Sequence, residues 1–557
     1  MPHATSLSPA DSNIQAEAPP HRSRLSNVIR IRPRNTQNLD SSNLNSYLLQ
    51  LCGGILLVAT YLINYSNFVL VPGNNPTNPL GWWLWDDQRE YLRAAQAFLH
   101  SDFRASEHFY PPLYSSIGSL FLTLAPGHPF FIPDLIFTLA YFFVFVALFN
   151  RYVGVWAATV CALAGMVLYR PFRLQWVIPW TTTPGAFLSI SALFLLDRYV
   201  RRRNENWWDS RASALNAAGF GLVVGLQAPN RPVDLVVLAP VAIAYATLVL
   251  VSTFRAPERK NLIAIASGLV AFVIPLIFYF GFNEISYGTL FGRYFAINEK
   301  IGFDPIVVPQ QLFSHLLDSS TFFAERNADW LSAVPLALVA VAFLPLTLLA
   351  GPLVMRVIAA CTLIQFAIYY SDHDILPTGT FRFCNIHYFK WLVPIAICVA
   401  FYFLRQAASS VSEARRKACV VLACGIVFEL AASCIVAVPQ VETVSRVSHE
   451  GSEIALDLSG EKINYIDLKG ISGRWGDIYF APRTNVILDG RFQLSAVRDY
   501  RFLPTPSGVR VLFMGAIAAR TVMIHLAEGM TVPEGFADAD ARAVSVRFRF
   551  GLPLSQD

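Results

Sequence analysis

Long apolar runs recur along most of the chain, and short polar segments separate them. A run of about 17 to 25 apolar residues is long enough to cross a bilayer as an α-helix. About eleven such runs are present, at residues 47–71, 130–151, 153–169, 182–200, 213–229, 234–254, 261–282, 331–350, 353–370, 388–404 and 418–439. The apolar run Leu113–Pro126 is too short to cross and is expected to form a re-entrant or surface helix. The pattern predicts a mainly α, polytopic bundle of transmembrane helices.

From about residue 440 the pattern changes to alternation of apolar and polar positions, which is typical of β-strands. Residues 544–550 alternate in this way, and Val509–Met514, Thr521–Leu526 and Asn485–Leu488 are further short strand candidates. We therefore expect three parts. They are a disordered tail at 1–45, a membrane bundle at 46–440 with outer loops at 72–129, 283–330 and 371–387, and a small β-rich domain at 441–557.

Composition and charge agree with a membrane protein. The chain is 54% hydrophobic and only 15% charged, which excludes an ordinary soluble domain, and its net charge of +5 is spread over many loops, which argues against nucleic-acid binding. Basic loops near residues 201–211, 255–260 and 405–417 fall on the same side as the arginine-rich N-terminus. The positive-inside rule then predicts a cytoplasmic N-terminus and a C-terminal domain on the outer face.

The segment 81–112 is rich in ionisable and aromatic residues although it lies between two apolar runs. Three tryptophans precede the adjacent carboxylates Asp86 and Asp87, and tryptophan favours a membrane–water boundary. From Asp87 onward, apolar residues recur at spacings of three and four, which predicts an amphipathic helix on the membrane surface. Such a helix suits chemistry on a lipid-borne substrate. The alternative is a solvated loop with two ordinary acidic residues.

Several basic residues lie on the predicted outer side, against the general charge bias. They are Arg170, Arg173, Arg231, Arg293, Arg382 and Lys390. Basic groups at this depth are suited to a lipid phosphate or diphosphate, and arginine offers such oxygens a two-pronged fork. The alternative for any one of them is an interaction with phospholipid headgroups.

The order of these features resembles the GT-C class of membrane glycosyltransferases, which includes protein O-mannosyltransferases and lipid A aminoarabinose transferases. That class carries an acidic D-E-x-x-Y motif in the first outer loop and then a Y-P-P-L segment, and residues 87–91 (DQREY) and 110–113 (YPPL) match those positions. Gln88 stands where a second acid is often found, and the second acid is instead Asp86. Residues 230–232 (NRP) and 287–292 (YGTLFG) resemble two further turns of the class.

The resemblance implies an inverting transfer of a sugar from a polyprenyl phosphate, in which a carboxylate takes the acceptor proton and positive charge stabilises the departing phosphate. The expected catalytic residues are Asp87 and Asp86, with the choice of base left open. The expected phosphate-binding residues are Arg382, Lys390, His387 and Arg231. The expected sugar- or acceptor-binding residues are His373, Asp374, Tyr91, Tyr110 and Arg293. The sequence contains no metal-ligand spacing, and a divalent cation, Mg or Mn, is left open.

The leading hypothesis is therefore a glycosyltransferase on the outer face of a bacterial cytoplasmic membrane. Its partners would be a polyprenyl-phosphate-linked sugar and an acceptor in the cell envelope, which is a glycolipid, a polysaccharide or a protein. A transporter or a flippase for lipid-linked sugars is the alternative, although transporters concentrate ionisable groups at the bilayer midplane and often have repeated halves. A non-catalytic partner in an envelope complex is a third reading.

Overall fold

A computed structural model describes residues 39–203, 210–255, 258–373, 375–442, 444–473, 484–496 and 498–550. The predicted tail at 1–45 lies almost wholly outside these ranges. The helices are α1 (Leu39–Asn67), α2 (Asp86–Leu99), α3 (Pro112–Phe121), α4 (Phe131–Val153), α5 (Val155–Leu163), α6 (Arg170–Gln175), α7 (Thr182–Arg203), α8 (Ser210–Gly225), α9 (Gln227–Asn230), α10 (Pro232–Val237), α11 (Ala239–Arg255), α12 (Arg259–Tyr287), α13 (Arg293–Ile301), α14 (Val308–Leu316), α15 (Ser320–Phe323), α16 (Trp330–Ala333), α17 (Pro335–Ala350), α18 (Leu353–Tyr369), α19 (Pro377–Phe381), α20 (Leu392–Ala407) and α21 (Ser412–Ser433). The strands are β1 (Ile435–Glu442), β2 (Val444–Glu450), β3 (Glu453–Leu458), β4 (Lys462–Lys469), β5 (Asn485–Leu488), β6 (Phe492–Leu494), β7 (Tyr500–Thr505), β8 (Gly508–Ala518), β9 (Thr521–His525) and β10 (Ala541–Phe550).

The fold class predicted from the sequence, a mainly α bundle with a β-rich C-terminal domain, is confirmed. Every predicted membrane segment contains a helix. Among the described residues, three helices are both long and apolar enough to cross a membrane, within Leu44–Asn67, Phe131–Val153 and Arg259–Tyr287, and several more are apolar but shorter. The last helix, α21, ends at Ser433, and β1 begins at Ile435, a few residues before the predicted end of that membrane segment.

Small residues allow helices α8 and α12 to pack in direct backbone contact. A Cβ atom at Gly221 would lie 2.0 Å from the carbonyl oxygen of Gly268, and one at Gly225 would lie 2.6 Å from that of Phe272. These two glycines of α8 form a G-x-x-x-G pattern, which favours close helix association inside a bilayer. The contact places the turn that follows α8, with Asn230 and Arg231, at a defined position.

Helix α2 is amphipathic, as predicted, and buries Tyr91, Ala94 and Ala95. It ends at Leu99, well before Pro111 and Pro112. The chain reaches α2 through a tight turn at Gly81, whose φ of +51° disfavours any residue with a Cβ. A Cβ there would also lie 2.2 Å from the carbonyl oxygen of Leu70. The turn directs Trp82 into an aromatic cluster, and this cluster fixes the start of α2.

The C-terminal domain consists of two antiparallel five-stranded sheets with the orders β1-β10-β4-β8-β7 and β2-β3-β9-β5-β6. The strands predicted near 485–488, 509–514, 521–526 and 544–550 are all present. Strand β1 follows α21 directly and pairs Ile435 with Phe550. Pro439 is tolerated within it because β1 is an edge strand, where a missing N–H breaks no ladder.

Candidate active site

A cavity of about 230 Å³ lies near the start of α2. Its walls come from α2, the segment before α3, the turn between α9 and α10, α13, and the loop between α18 and α20. The described residues that line it are Asp87, Tyr91, Phe109, Tyr110, Pro111, Thr181, Asn230, Arg231, Pro232, Val233, Tyr294, Ile297, Asn298, Asp372, Ile375, Asn385 and Tyr388. The cavity therefore combines two carboxylates, one guanidinium, three amides and several aromatic rings.

Asp87 enters this cavity from the first turn of α2. The helix is held in place by buried Gln88, whose amide donates to the carbonyl oxygen of Pro179 at 3.0 Å. The Asp87 carboxylate accepts a hydrogen bond from the hydroxyl of Tyr110. Burial and the nearby Asp87 charge raise the pKa of Tyr110 well above its usual value, so Tyr110 remains a protonated donor at neutral pH. One carboxylate is thus oriented by a phenol inside the cavity.

Asp86 points elsewhere. Its side chain is 90% exposed and pairs with Arg89 at 2.8 Å on the outer surface of α2. Successive residues of an α-helix are about 100° apart around the axis, so two adjacent carboxylates do not share one face. Of the acidic pair, only Asp87 lines the cavity.

Arg231 is 8% exposed and presents the positive charge of the cavity. It stands in the turn between α9 and α10, where Asn230 donates to the carbonyl oxygen of Thr181 at 3.1 Å and Pro232 begins α10. The Arg231 guanidinium lies 4.7 Å from the ring centre of Tyr388 and donates to the hydroxyl of Tyr369. Its Nε is 3.7 Å from Asp234. Aromatic faces and a flanking carboxylate therefore hold this cation without closing it off from the cavity.

The other predicted phosphate-binding residues are not among the lining residues. Lys390 is fully buried and donates to the carbonyl oxygen of Gln175 at 2.8 Å and to Thr183 Oγ1 at 2.7 Å. Arg382 is exposed and lies over the ring of Phe383. Arg231 lines the cavity, whereas Lys390 and Arg382 do not.

His387 is also buried behind the cavity wall. It is stacked on Trp180, with 3.9 Å between the ring centres, and shares a hydrogen bond of 3.0 Å with Thr182. Burial, and then the charges of Arg231 and Lys390, lower the pKa of His387 well below its usual value. It is a neutral side chain that supports the wall.

Some of the predicted sugar- and acceptor-binding residues line the cavity, and others do not. Tyr91 and Tyr110 line the cavity. Arg293 is exposed and lies 5.4 Å from the ring centre of Phe109, at the cavity edge. His373 is buried against the β-rich domain, where its Nδ1 hydrogen-bonds the carbonyl oxygen of Arg498. Asp374 lies outside the described residues.

Several lining residues were not singled out from the sequence. Asp372 stands in the same S-D-H-D segment as His373 and Asp374, and nothing in the local pattern distinguishes it. Tyr294 and Asn298 are four residues apart on one face of α13, and this spacing was the sequence feature that could have identified them. Tyr388 and Asn385 have no local signal, because their position depends on contacts with distant parts of the chain.

No group of three or more histidine, cysteine, aspartate or glutamate side chains is placed to hold a metal within the described parts of the chain. Asp87 and Asp372 are the two carboxylates on the cavity surface there.

No protein-family model and no curated protein sequence matches the chain. Among solved structures, ArnT from Cupriavidus metallidurans bound to undecaprenyl phosphate is similar over 68% of this chain and 71% of that chain, with 12% sequence identity and a TM-score of 0.40. The oligosaccharyltransferase of Archaeoglobus fulgidus, a complex with Zn and sulfate, is similar over 68% of this chain and 51% of that chain, with 15% identity and a TM-score of 0.33. The chain thus spans about half the length of the second protein. The function proposed below rests on the residues of the cavity.

Proposed function

We propose that this protein transfers a sugar from a polyprenyl-phosphate donor to a hydroxyl group of a cell-envelope acceptor. The observation that carries the proposal is that Asp87 and Arg231 line the same small cavity. Sugar transfer from a phosphate requires a proton acceptor and a positive charge at the leaving oxygen. The two residues supply one of each.

Asp87 is the proposed base. In a single displacement, the acceptor oxygen forms a bond to the anomeric carbon, the bond between that carbon and the phosphate oxygen breaks, and the acceptor proton passes to Asp87. The hydrogen bond from the Tyr110 hydroxyl orients the Asp87 carboxylate in the cavity. Attack from the face opposite the phosphate inverts the anomeric centre.

Arg231 is the proposed phosphate-binding residue. The phosphate gains negative charge as the glycosidic bond breaks, and a guanidinium binds two such oxygens at once. Arg231 is buried, and a charged hydrogen bond is stronger away from water. Its stacking on Tyr388 keeps the planar group in one orientation.

The remaining walls suit one monosaccharide. At about 230 Å³ the cavity is smaller than pockets for drug-sized ligands, which are about 300–1,000 Å³. Asn298, Asn385 and Asp372 offer hydrogen bonds to sugar hydroxyls, and Tyr294 adds an aromatic ring to the wall. The polyprenyl chain would extend from the cavity into the bilayer.

The proposal places the reaction on the outer face of a bacterial cytoplasmic membrane, with the N-terminus in the cytoplasm. This orientation follows from the distribution of arginine and lysine among the loops. The proposal assigns no step to a divalent cation, because Asp87, one of the two carboxylates in the described cavity lining, acts as the base.

Proteoliposomes loaded with a radiolabelled polyprenyl-phosphate sugar and an envelope extract test this proposal. We expect the wild-type protein to form a labelled glycosidic product and Asp87→Asn to lower the rate by about two to four orders of magnitude. Asp86→Asn is the matched control and should stay within about twofold, because its carboxylate is on the surface. An Asp87→Asn protein with the wild-type rate would refute the assigned base. Label that crosses the bilayer without a new glycosidic bond would indicate a transporter.

A further inference from the structure

The cavity wall that contains Asp372 is a short turn segment after the end of α18, with a single β-bridge at Asp372. Asp372 pairs with Phe303 in an antiparallel bridge, and the N–H of Asp304 donates to the carbonyl oxygen of Ser371 at 3.0 Å. Asp372 lines the cavity, and His373 is buried against the β-rich domain.

Arg501 of the β-rich domain binds this segment from behind. It lies on β7, the edge strand of its sheet, and is only 4% exposed. Its Nη2 donates to the carbonyl oxygen of His373 at 2.7 Å, while the His373 ring hydrogen-bonds the carbonyl oxygen of Arg498. A buried guanidinium is costly unless its N–H groups are hydrogen-bonded, so this contact is favoured whenever the domain is in place.

A second arginine anchors the same domain independently. Arg510 forms a paired contact with Asp467 at 2.6 and 2.8 Å and donates to the carbonyl oxygens of Thr321 and Phe322 at 2.8 and 3.1 Å. An apolar cluster surrounds this contact and joins both parts of the chain: Val307, Phe313, Phe322, Phe323, Leu376, Tyr465, Leu503, Leu512, Met514 and Val544. The domain should therefore stay docked when Arg501 is removed, and segment 371–373 should lose one of the contacts that hold it.

We propose that Arg501 is a positioning residue that holds Asp372 in the wall of the cavity through the backbone of His373. The β-rich domain is then a structural part of the site. Its expected effect on rate rests on the proposed sugar transfer, and its effect on the placement of segment 371–373 does not.

Hydrogen–deuterium exchange tests the placement in the full-length protein. Arg501→Ala should raise amide exchange several-fold in peptides that cover 371–376 and leave 308–323, held by Arg510, at wild-type exchange. Arg501→Lys keeps one donor and the charge, and should restore most of the protection. Arg446→Ala, at an exposed position of β2, is the matched control. Unchanged exchange at 371–376 in Arg501→Ala would overturn the proposal. If Arg501→Ala unfolds the domain, the Arg501→Lys protein is compared with wild type instead. We then expect a smaller rise in amide exchange that is confined to 371–376. Wild-type exchange at 371–376 in Arg501→Lys would contradict the proposal.

Steady-state kinetics test the consequence for transfer. A catalytic wall displaced by about 1 Å slows a reaction by about 10- to 100-fold. We expect Arg501→Ala to lower kcat by that amount. The donor KM should rise by a smaller factor, because Asp372 contributes one sugar contact while Arg231 still binds the phosphate. Arg501→Lys should recover much of the rate. A changed donor KM at constant kcat, or a wild-type kcat, would contradict the positioning role. If the wild-type protein transfers no sugar, the proposed function is wrong, and the exchange result still decides whether Arg501 holds the segment.

Discussion

Replacing Arg231 tests how the cavity recognises phosphate. In Arg231→Lys the charge remains, but the planar fork is lost. A lysine ammonium is a point charge that does not stack on Tyr388 or bind two phosphate oxygens in one plane. In Arg231→Ala the charge is lost as well. The series therefore separates geometry from charge.

The magnitude follows from the hydrogen bonds that are removed. A hydrogen bond to a charged group contributes about 1.5–3 kcal/mol, and each 1.4 kcal/mol corresponds to about a tenfold change. Arg231→Lys loses one of two phosphate contacts, so kcat/KM should fall by about 10- to 100-fold. Arg231→Ala loses both, and the fall should reach about 10²- to 10⁴-fold. Donor affinity should weaken too, because the contact exists before the reaction as well as in the transition state.

The assay is product formation in proteoliposomes together with binding of undecaprenyl phosphate to the detergent-solubilised protein. Arg382→Ala is the matched control, because Arg382 is an exposed arginine of the same outer region. It should change both readouts by less than about twofold, in line with the small contribution of exposed charges. Melting temperatures identify variants that fail to fold. An Arg382→Ala protein more impaired than Arg231→Lys would refute the assignment of the phosphate to Arg231.

Three further predictions concern the supports of the site. Tyr110→Phe removes the hydroxyl that orients Asp87, so kcat should fall by about 10- to 100-fold while the donor KM stays within about twofold. A wild-type kcat would contradict the role of this contact. Burial lowers the pKa of His315 to about 3, below its usual 6.5, so as pH falls below about 6.5 only the unfolded chain takes up this proton. The free energy of unfolding should then decrease by about 1.4 kcal/mol for each pH unit below that value. Calorimetry at several pH values should show a shallower decrease in His315→Gln, and an equal decrease in both proteins would contradict the prediction. Gly81→Ala should lower the melting temperature more than Gly73→Ala. Both glycines have a positive φ, but only a Cβ at residue 81 would lie against backbone atoms. Equal decreases in melting temperature would mean that the strain of a positive φ accounts for the whole effect.

The sequence was sufficient for the elements whose signal is local. Apolar run length predicted the helices, and the three- and four-residue spacing after Asp87 predicted the buried face of α2. Asp87 and Tyr91 are one helical turn apart, so their side chains lie on the same face of α2, and both line the cavity.

The candidate site was harder to predict because its walls come from distant parts of the chain. Lys390 donates to Gln175, which is 215 positions away, and Arg231 donates to Tyr369, which is 138 positions away. No local pattern distinguishes a cation that lines a cavity from one buried behind it. For the same reason Asp372 was passed over in favour of its neighbours, although the β-rich domain turns His373 away from the cavity.

A density map of the Asp87→Asn protein with bound undecaprenyl phosphate is the most direct test of the central claim, that phosphate and base meet in one cavity. The substitution keeps the size of the side chain and leaves Arg231 intact. We predict phosphate density within about 2.7–3.2 Å of the Arg231 guanidinium, with residue 87 on the same cavity surface. Phosphate density at Arg382, or at any site that does not touch Arg231, would contradict the account.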